Sequence, residues 1–377
     1  MSDAPKKRVA LVYDALYPFV KGGAERRFYE VGKQLTNRGY EVHLYSMKFW
    51  DGPRLIKRDG MYLHGICKAR ELYTESGRRR MLPPILFGLS CLKLLPERFD
   101  VMDCAGFPYF SLFGCKLVTL LKRKPLYATW HEVWGKAYWR KYLGRLGPIG
   151  YLIERLAVKM PDAFIAVSDH TADLLKQQFK PSQPIYVVDN GIHFRDIKRV
   201  KPARLTSDII YTGRLIGHKN VDVLLNAVSA LKAKHPDVKC LIVGNGPRRV
   251  SLEKLSRELK LDGNVVFRDF VPEHDDIIAL MKASKVFVLP STREGFGLAA
   301  LEANAAGLPV ITTAHKENAA RKLITGKNGA TPDLEADAFA ECIRQSLDGA
   351  YDQAACERAA KHFDWANIAH KLEAILQ

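Results

Sequence analysis

KVFVLPSTREGFGLAALEANAAGLPVITT, residues 285–313, is the stretch from which the fold can be read. KVFVLP (285–290) is a short, almost continuous apolar run of the kind a strand buried on both faces requires. The turn TREGFG follows, then the alanine-rich helix LAALEANAA, which Gly307 and Pro309 stop. PVITT (309–313) begins a second strand. Strand, helix and strand at this spacing make a parallel pair joined by a helical crossover.

The same alternation runs through the chain twice. In the first half strands are expected at 8–14, 41–46, 99–104, 126–131, 163–168 and 185–190. In the second they are expected at 208–213, 239–244, 264–269, 285–290 and 309–313, with helices at 24–37, 221–233, 250–260, 274–283 and 297–306. The fold class is therefore α/β, two Rossmann-like doubly wound domains. At 377 residues the chain exceeds the size at which one core keeps growing. The Pro- and Lys/Arg-bearing stretch 191–207 reads as the linker between them. Residues 1–190 form one domain, 191–355 the other, and 356–377 a last helix expected to pack back on the first. Two such domains facing across a cleft bind ligands at the carboxyl ends of their strands.

The seven cysteines are scattered and form no C-x-x-C pair, which suggests neither a disulfide framework nor a zinc site. They read as thiols of a reducing, cytoplasmic compartment. MSDAPKKRVALVYD has no long apolar run, so no signal peptide is expected. The apolar stretches 81–92 and 109–121 fall short of the ~20 residues that span a bilayer. The net charge of +17 is concentrated in the first half, where residues 1–190 hold 31 Lys and Arg against 18 Asp and Glu. Residues 113–160 carry ten basic and two acidic side chains, interleaved with Trp130, Trp134, Tyr138, Trp139, Tyr142 and Tyr151. Such a mixture suits an anionic membrane surface, a single-stranded nucleic acid or simply a solvated basic face.

The strand ends carry the candidate chemistry. Gly22 and Gly23 follow the first strand and open a helix, so the backbone there can approach an anion closely. In YTGRLIGHKN, Arg214 and Lys219 can grip a diphosphate from two directions, or make surface salt bridges instead. VGNGPRRV offers Gly244 and Gly246, but Arg249 stands where a dinucleotide G-x-G-x-x-G needs its third glycine, which argues against NAD.

Glu294 lies beside the positive end of the 297–306 helix, whereas Glu302 lies within it among Leu and Ala. A carboxylate in such surroundings is costly unless something satisfies it, and sugar or ribose hydroxyls would. Eight helical residues would separate the two by ~12 Å, beyond the ~5–9.5 Å of glycosidase carboxylate pairs. The turn between them shortens that distance, so hydrolysis is disfavoured and not excluded.

The E-x7-E spacing in EGFGLAALE, followed by AAGLPVITT, resembles the retaining nucleotide-sugar glycosyltransferases of family four, the group 1 glycosyl transferases, which have the two-domain GT-B architecture. GGAE, AVSDHTADLL, DNGI, YTGRL with its following Lys, VGNGP and FVPEHDDIIALMKAS agree in order, as does the terminal FDWANIAHKLEAIL. The resemblance runs from about residue 8 to the end and is weaker over 50–125. It implies that Glu302 binds the ribose hydroxyls and Glu294 the transferred sugar, with backbone N–H groups from Gly295, Phe296, Gly297 and Leu298. It implies that Arg214 and Lys219 neutralise the leaving diphosphate, that Gly22 and Gly23 close on it, and that the backbone of Val271 reads the nucleobase. His131 matches the histidine at the sugar-binding face of the first domain; without the resemblance it reads as a satisfied interior histidine.

Preorganised cations and a helix N-terminus stabilise a departing diphosphate without a metal. No Asp-x-Asp motif is present, so neither a metal nor another cofactor is expected. The implied donor is a UDP- or GDP-linked hexose. The basic, aromatic 113–160 and apolar 81–95 segments favour a lipid-linked or cell-envelope glycan acceptor at the cytoplasmic membrane face, with a soluble sugar as the other possibility. A nucleotide-sugar epimerase or sugar-phosphate synthase on the same fold is an alternative, and a non-catalytic nucleic-acid-binding protein is another. No nucleic acid is expected if the transferase reading holds.

Overall fold

A computed structural model describes residues 7–20, 22–74, 79–271 and 273–376. Residues 1–6 of the amino-terminal reading lie outside that set, as do Lys21, just before the GGAE motif, and Pro272 of FVPEHDDIIALMKAS. The chain forms two compact units. The first comprises the described residues within 1–74, 78–190 and 365–377, the second those within 191–364.

The first unit is built on an eight-stranded sheet of β1 (Arg8–Val12), β2 (Glu41–Lys48), β3 (Leu55–Arg58), β4 (Met61–Lys68), β5 (Val101–Ala105), β6 (Leu126–Trp130), β7 (Ala163–Ala166) and β8 (Ile185–Val187). Their order is β3-β4-β2-β1-β5-β6-β7-β8, and only β3 runs antiparallel to its neighbour. Val9, Ala10, Leu11 and Val12 of the central β1 are wholly buried, as a strand covered on both faces must be. Around the sheet lie α1 (Gly23–Asn37), α2 (Leu82–Ser90), α3 (Phe110–Lys122), α4 (Gly135–Leu143), α5 (Gly147–Ala157) and α6 (Asp169–Phe179). Ser168 of the AVSDHTADLL motif caps α6 by accepting from the Thr171 amide at 3.1 Å.

The second unit begins with α7 (Phe194–Arg199), followed by β9 (Ser207–Thr212), α8 (Val221–Lys232), β10 (Cys240–Val243), α9 (Arg249–Glu258), β11 (Val265–Arg268), α10 (His274–Lys282) and β12 (Ser284–Leu289). Then come α11 (Leu298–Ala305), β13 (Val310–Thr312), β14 (Gly329–Ala330), α12 (Ala336–Leu347) and α13 (Gln353–Lys361). Its six strands lie in the order β11-β10-β9-β12-β13-β14, all parallel.

The structure differs from the sequence reading in three places. Residues 191–207 are not a plain linker, because α7 forms there and buries Ile197. The β3–β4 hairpin was not foreseen, although its Asp59-Gly60 turn, with φ of 47° and 80°, is a characteristic hairpin signal. The expected break at 356 falls later. Asp352 caps α13, whose Ala355, Cys356 and Ala360 are buried, and α13 packs on α11 in the second unit. The segment that belongs to the first unit is α14 (Trp365–Leu376).

Helix α14 packs on α1, with Trp365, Ile368, Leu372 and Leu376 buried. Polar ties fix its register: Arg38 donates to the Ala366 carbonyl at 2.8 Å, Tyr127 to that of Ile375 at 3.0 Å, and Lys7 to that of Leu376 at 3.0 Å. Trp365→Ala is expected to cost the first unit about 3–5 kcal/mol. A fall of that size in its urea unfolding transition would match, and an unchanged transition would show that the helix contributes nothing to the first core.

Candidate functional site

In the second unit the winding reverses at β9, with β10 and β11 on one side and β12 on the other. The carboxyl ends of β9 and β12 are thus the switch point at which open α/β sheets bind ligands. The β9 loop carries Gly213, exposed Arg214 and Lys219; the β12 loop carries Glu294 to Gly297. They are joined directly, since Lys219 Nζ lies 2.5 Å from Glu294 Oε1 and both side chains are largely buried. The backbone locks the same junction. Thr292 N donates to the His218 carbonyl at 2.9 Å, and Asn220 Nδ2 to those of His218 and Pro290 at 3.1 and 3.0 Å. Glu294 also bridges the loop after β13: its amide donates to Glu317 at 3.2 Å, and its carbonyl accepts from Ala319 at 3.0 Å.

Gly297 stands at the N-cap of α11 with φ 97°, and a Cβ there would meet that of Ala320 at 2.4 Å. No side chain caps the helix, whose first residue is Leu298. The neighbouring Phe296 is buried and packs edge-on against Phe363, the ring centroids 5.7 Å apart. A Cβ on Gly244 would meet the Gly213 carbonyl oxygen at 1.9 Å, so the β9 and β10 loops touch backbone to backbone. Arg249, the residue in place of a third glycine, begins α9 and donates to the carbonyls of Gly244 and Arg268 at 3.0 and 3.3 Å. Its guanidinium fills space near the strand ends that a dinucleotide fingerprint leaves to glycine.

Glu302 is buried in α11, and His274 at the start of α10 brings Nε2 to 3.3 Å from its Oε1. That partner was missed in the sequence, where HDD reads simply as a helix start. Glu294 and Glu302 thus have separate partners, a lysine and a histidine. Val271 follows β11, two strands from β9, and is half-buried.

The first unit presents a second set of strand ends. Gly22 is the extended N-cap of α1 and Gly23 its first residue. The place of a Gly22 Cβ is filled by the Glu25 carboxylate, whose Oε2 would be 2.2 Å away. Burial pushes the Glu25 carboxyl pKa up, and Tyr13 donates to it at 3.2 Å. The backbone at this helix start therefore already has a carboxylate beside it. His131 follows β6; its Nε2 is buried with no hydrogen-bond partner, and its ring lies 6.4 Å from that of Phe28. Burial, and then the charge of Arg27, lower its pKa to about 3, so the imidazole is neutral at pH 7. A buried nitrogen without a partner calls for an explanation, and a ligand hydroxyl would supply one.

Several buried charges escaped the sequence reading. Arg27 donates to the carbonyls of Val188 and Asp189 at 2.8 and 2.6 Å and to Asn190 Oδ1 at 2.9 Å, which accounts for the DNG motif. Burial lowers its pKa to about 10. Asp103 on β5 accepts from Thr129 Oγ1 at 2.7 and 3.0 Å, and burial raises its pKa to about 6. Asp14, just after β1, pairs with Arg79 at 2.6 Å through both oxygens. Beside that pair an apolar recess of about 360 Å³, open space included, lies among Arg79, Met81, Phe107, Trp134, Tyr142 and Ile153. Its aromatic wall turns inward around buried Glu154, which accepts from the amides of Trp134 and Gly135 at 2.9 Å and from Trp139 Nε1 at 2.7 Å. Of the rings of the basic segment, Trp130 and Trp139 are therefore core, while Trp134, Tyr138, Tyr142 and Tyr151 are half-buried.

Two parallel α/β units with ligand-competent strand ends are the GT-B architecture of nucleotide-sugar glycosyltransferases, and solved structures with that fold superpose on the whole chain. Sucrose-phosphate synthase from Thermosynechococcus elongatus aligns with a TM-score of 0.77 at 17% identity over 98% of both chains. Anabaena HepE, solved with UDP and glucose, aligns with a TM-score of 0.71 at 18% identity over 98% of this chain and 99% of that one. Family models identify the two units in turn: residues 21–195 match Glycosyltransferase Family 4, and residues 195–363 match Glycosyl transferases group 1. The chain belongs to this glycosyltransferase family. A GDP-mannose-dependent alpha-(1-6)-phosphatidylinositol dimannoside mannosyltransferase of Mycobacterium tuberculosis (strain ATCC 25177 / H37Ra) is 30% identical over 170 residues. That match spans 45% of this chain and 43% of the relative's length.

The state of His131 sets a pH dependence. Unfolded, it takes up a proton near pH 6.5; folded, only near 3. Between those values the unfolded chain binds more protons, so its contribution is fully present above about pH 6.5 and is lost as pH falls. Asp103 works in the opposite sense, its contribution being lost as pH rises from about 3.9 through 6. The difference between His131→Gln and the unsubstituted protein isolates the histidine. The variant is expected to lose less stability between pH 6.5 and 4 in denaturant titrations; equal losses would mean the imidazole is protonated in the fold.

Proposed function

We propose that the protein is a retaining, metal-independent glycosyltransferase that moves a hexose from a UDP- or GDP-linked donor to a lipid-linked or cell-envelope glycan at the cytoplasmic face of a membrane. The observation that carries the donor reading is the Lys219–Glu294 pair at the β9/β12 switch point, beside the uncapped start of α11. Lys219 and Arg214 are assigned to the diphosphate, whose negative charge grows as the sugar–phosphate bond breaks. Glu294, with the backbone from Gly295 to Leu298, is assigned to the transferred sugar and Glu302 to the ribose. Val271 is assigned to the base, read by its backbone. In the first unit the neutral His131 is assigned to a sugar hydroxyl, and the Gly22–Gly23 turn to phosphate.

Metal independence rests on the absence of an Asp-x-Asp pair and on cations of the chain itself at the diphosphate; EDTA is expected to leave turnover unchanged. Support for an acceptor with an apolar part comes from the recess by Arg79, and from the relative whose name specifies a phosphatidylinositol dimannoside acceptor. The donor base is open between GDP, named for that relative, and UDP, bound in HepE.

Thermal stabilisation by UDP, GDP and their hexose conjugates tests the site. A ligand at about 100 times its dissociation constant adds about 2.7 kcal/mol to the folded state. A shift with one nucleotide family that Glu302→Ala weakens is expected, and no shift with any of them would overturn the donor reading. Glu294→Gln is expected to lower turnover about 10²- to 10³-fold while the nucleotide alone still binds. Undiminished turnover would remove Glu294 from the chemistry.

A further inference from the structure

Helices α2, α3 and α5 expose apolar side chains in rows that a water-facing helix would fill with polar ones. On α3, Leu117, Leu120 and Leu121 are exposed, the last two 65% and 62% accessible. On α5 the row is Ile149, Leu152 and Leu156; on α2 and the turn after it, Leu82, Leu89 and Leu92. These positions repeat at three, four and seven residues, so each row lies along one side of its helix. α2 packs on α3 and α3 on α5, which places the rows on successive helices of one layer. Singly exposed leucines are ordinary, whereas a concentration on adjacent helices marks an interaction surface.

The charge pattern selects the occupant. The helical segments between 82 and 157 carry Lys93, Lys116, Lys122, Lys136, Arg140, Lys141, Arg145 and Arg155 against a single acid, Glu154, which is buried. The nearby Asp162 and Asp100 are already paired with Lys116 and Lys124, at 2.5 and 3.1 Å. A second copy of this face would oppose cation to cation. An anionic bilayer satisfies both features, since its acyl boundary takes leucines and its headgroups take lysine and arginine. None of the described helices is long and apolar enough to cross a membrane, so the contact is interfacial.

We infer that the outer sides of α2, α3 and α5 form a docking face that seats the first unit on an anionic lipid surface. This deepens the reading of a lipid-linked acceptor, and rests on it for its biological sense, by naming the surface from which that acceptor is reached. It differs from the sequence expectation in its chemistry, because the insertion is by leucine and isoleucine while most of the tryptophans of the segment stay in the core.

Co-sedimentation of the full chain with vesicles tests it, using phosphatidylcholine alone and phosphatidylcholine with phosphatidylglycerol. Binding is expected only with the anionic lipid, and should fall at least tenfold from 50 mM to 500 mM salt. Leu120→Glu with Leu121→Glu and Leu152→Glu should reduce it at least tenfold. Arg145→Gln with Arg155→Gln, exposed changes that leave the packing alone, should reduce it severalfold at unchanged melting temperature. Equal binding to both vesicle types, no binding to either, or self-association that the leucine changes abolish would each overturn the docking face. Nucleotide stabilisation, measured in parallel without lipid, separates the two readings. Nucleotide binding without vesicle binding defeats only the docking face, and vesicle binding without nucleotide binding defeats only the transferase.

Discussion

A carboxylate and an ammonium 2.5 Å apart, Glu294 and Lys219, tie together the loops that leave β12 and β9 where the second sheet reverses its winding. Both side chains are only 14% accessible, so each holds the other's charge in a setting where water does little of the work. Removing either would leave a charge stranded in that setting, far costlier than losing a surface pair. Much of the site follows from keeping this pair in place. The 217–219 turn is pinned to residues 290–292, Glu294 is bridged to the loop after β13, and Gly297 lets α11 start close against Ala320. The Lys219–Glu294 pair and the start of α11 are thereby fixed by contacts within the second unit itself.

The first unit solves a different problem, that of holding charges in a core. Arg27 spends its donors on the backbone of residues 188 and 189 and on Asn190, so it anchors the end of the unit's chain before the second unit begins. Glu154 is answered by two amides and an indole, which makes it the hub of an aromatic cluster. His131 differs from both. Its buried Nε2 has no partner, and burial beside Arg27 keeps the ring neutral. A neutral imidazole can accept or donate to a hydroxyl, which a cationic one cannot do in both senses.

The readings that held were those in which one local signal has one structural meaning. A five-residue, valine-rich apolar run such as RVALV between polar turns is too short for a helix and suits a covered strand, and the glycines and proline of 295–309 bracket α11 because few other residues tolerate those backbone positions. That the loops after β9 and β12 carry Arg214, Lys219 and Glu294 was legible for the same reason, since strand ends at a switch point are set by the order of elements. The partnerships were not legible. Nothing in HDDII announces that His274 meets Glu302, nor does ERRF say that Arg27 reaches Asn190, 163 residues away. The tryptophans of 130–139 invited a surface role because they stand among lysines. The burial of Trp139 depends on Glu154 arriving from another helix to satisfy its indole and the amides at the start of α4.

The sequence by itself determined the alternation of strands and helices, the parallel character of both sheets apart from β3, and the residues at the strands' carboxyl ends, because hydrophobic period and turn chemistry act over a few neighbours. Tertiary structure alone decided which charges meet, which aromatic rings are core, where α13 ends its unit and α14 joins the other, and which leucines stay in the open. Each of those outcomes depends on surfaces brought together across tens to hundreds of residues, and burial, which sets the cost of a charge or the worth of a leucine, is a property of that assembly and not of any one segment.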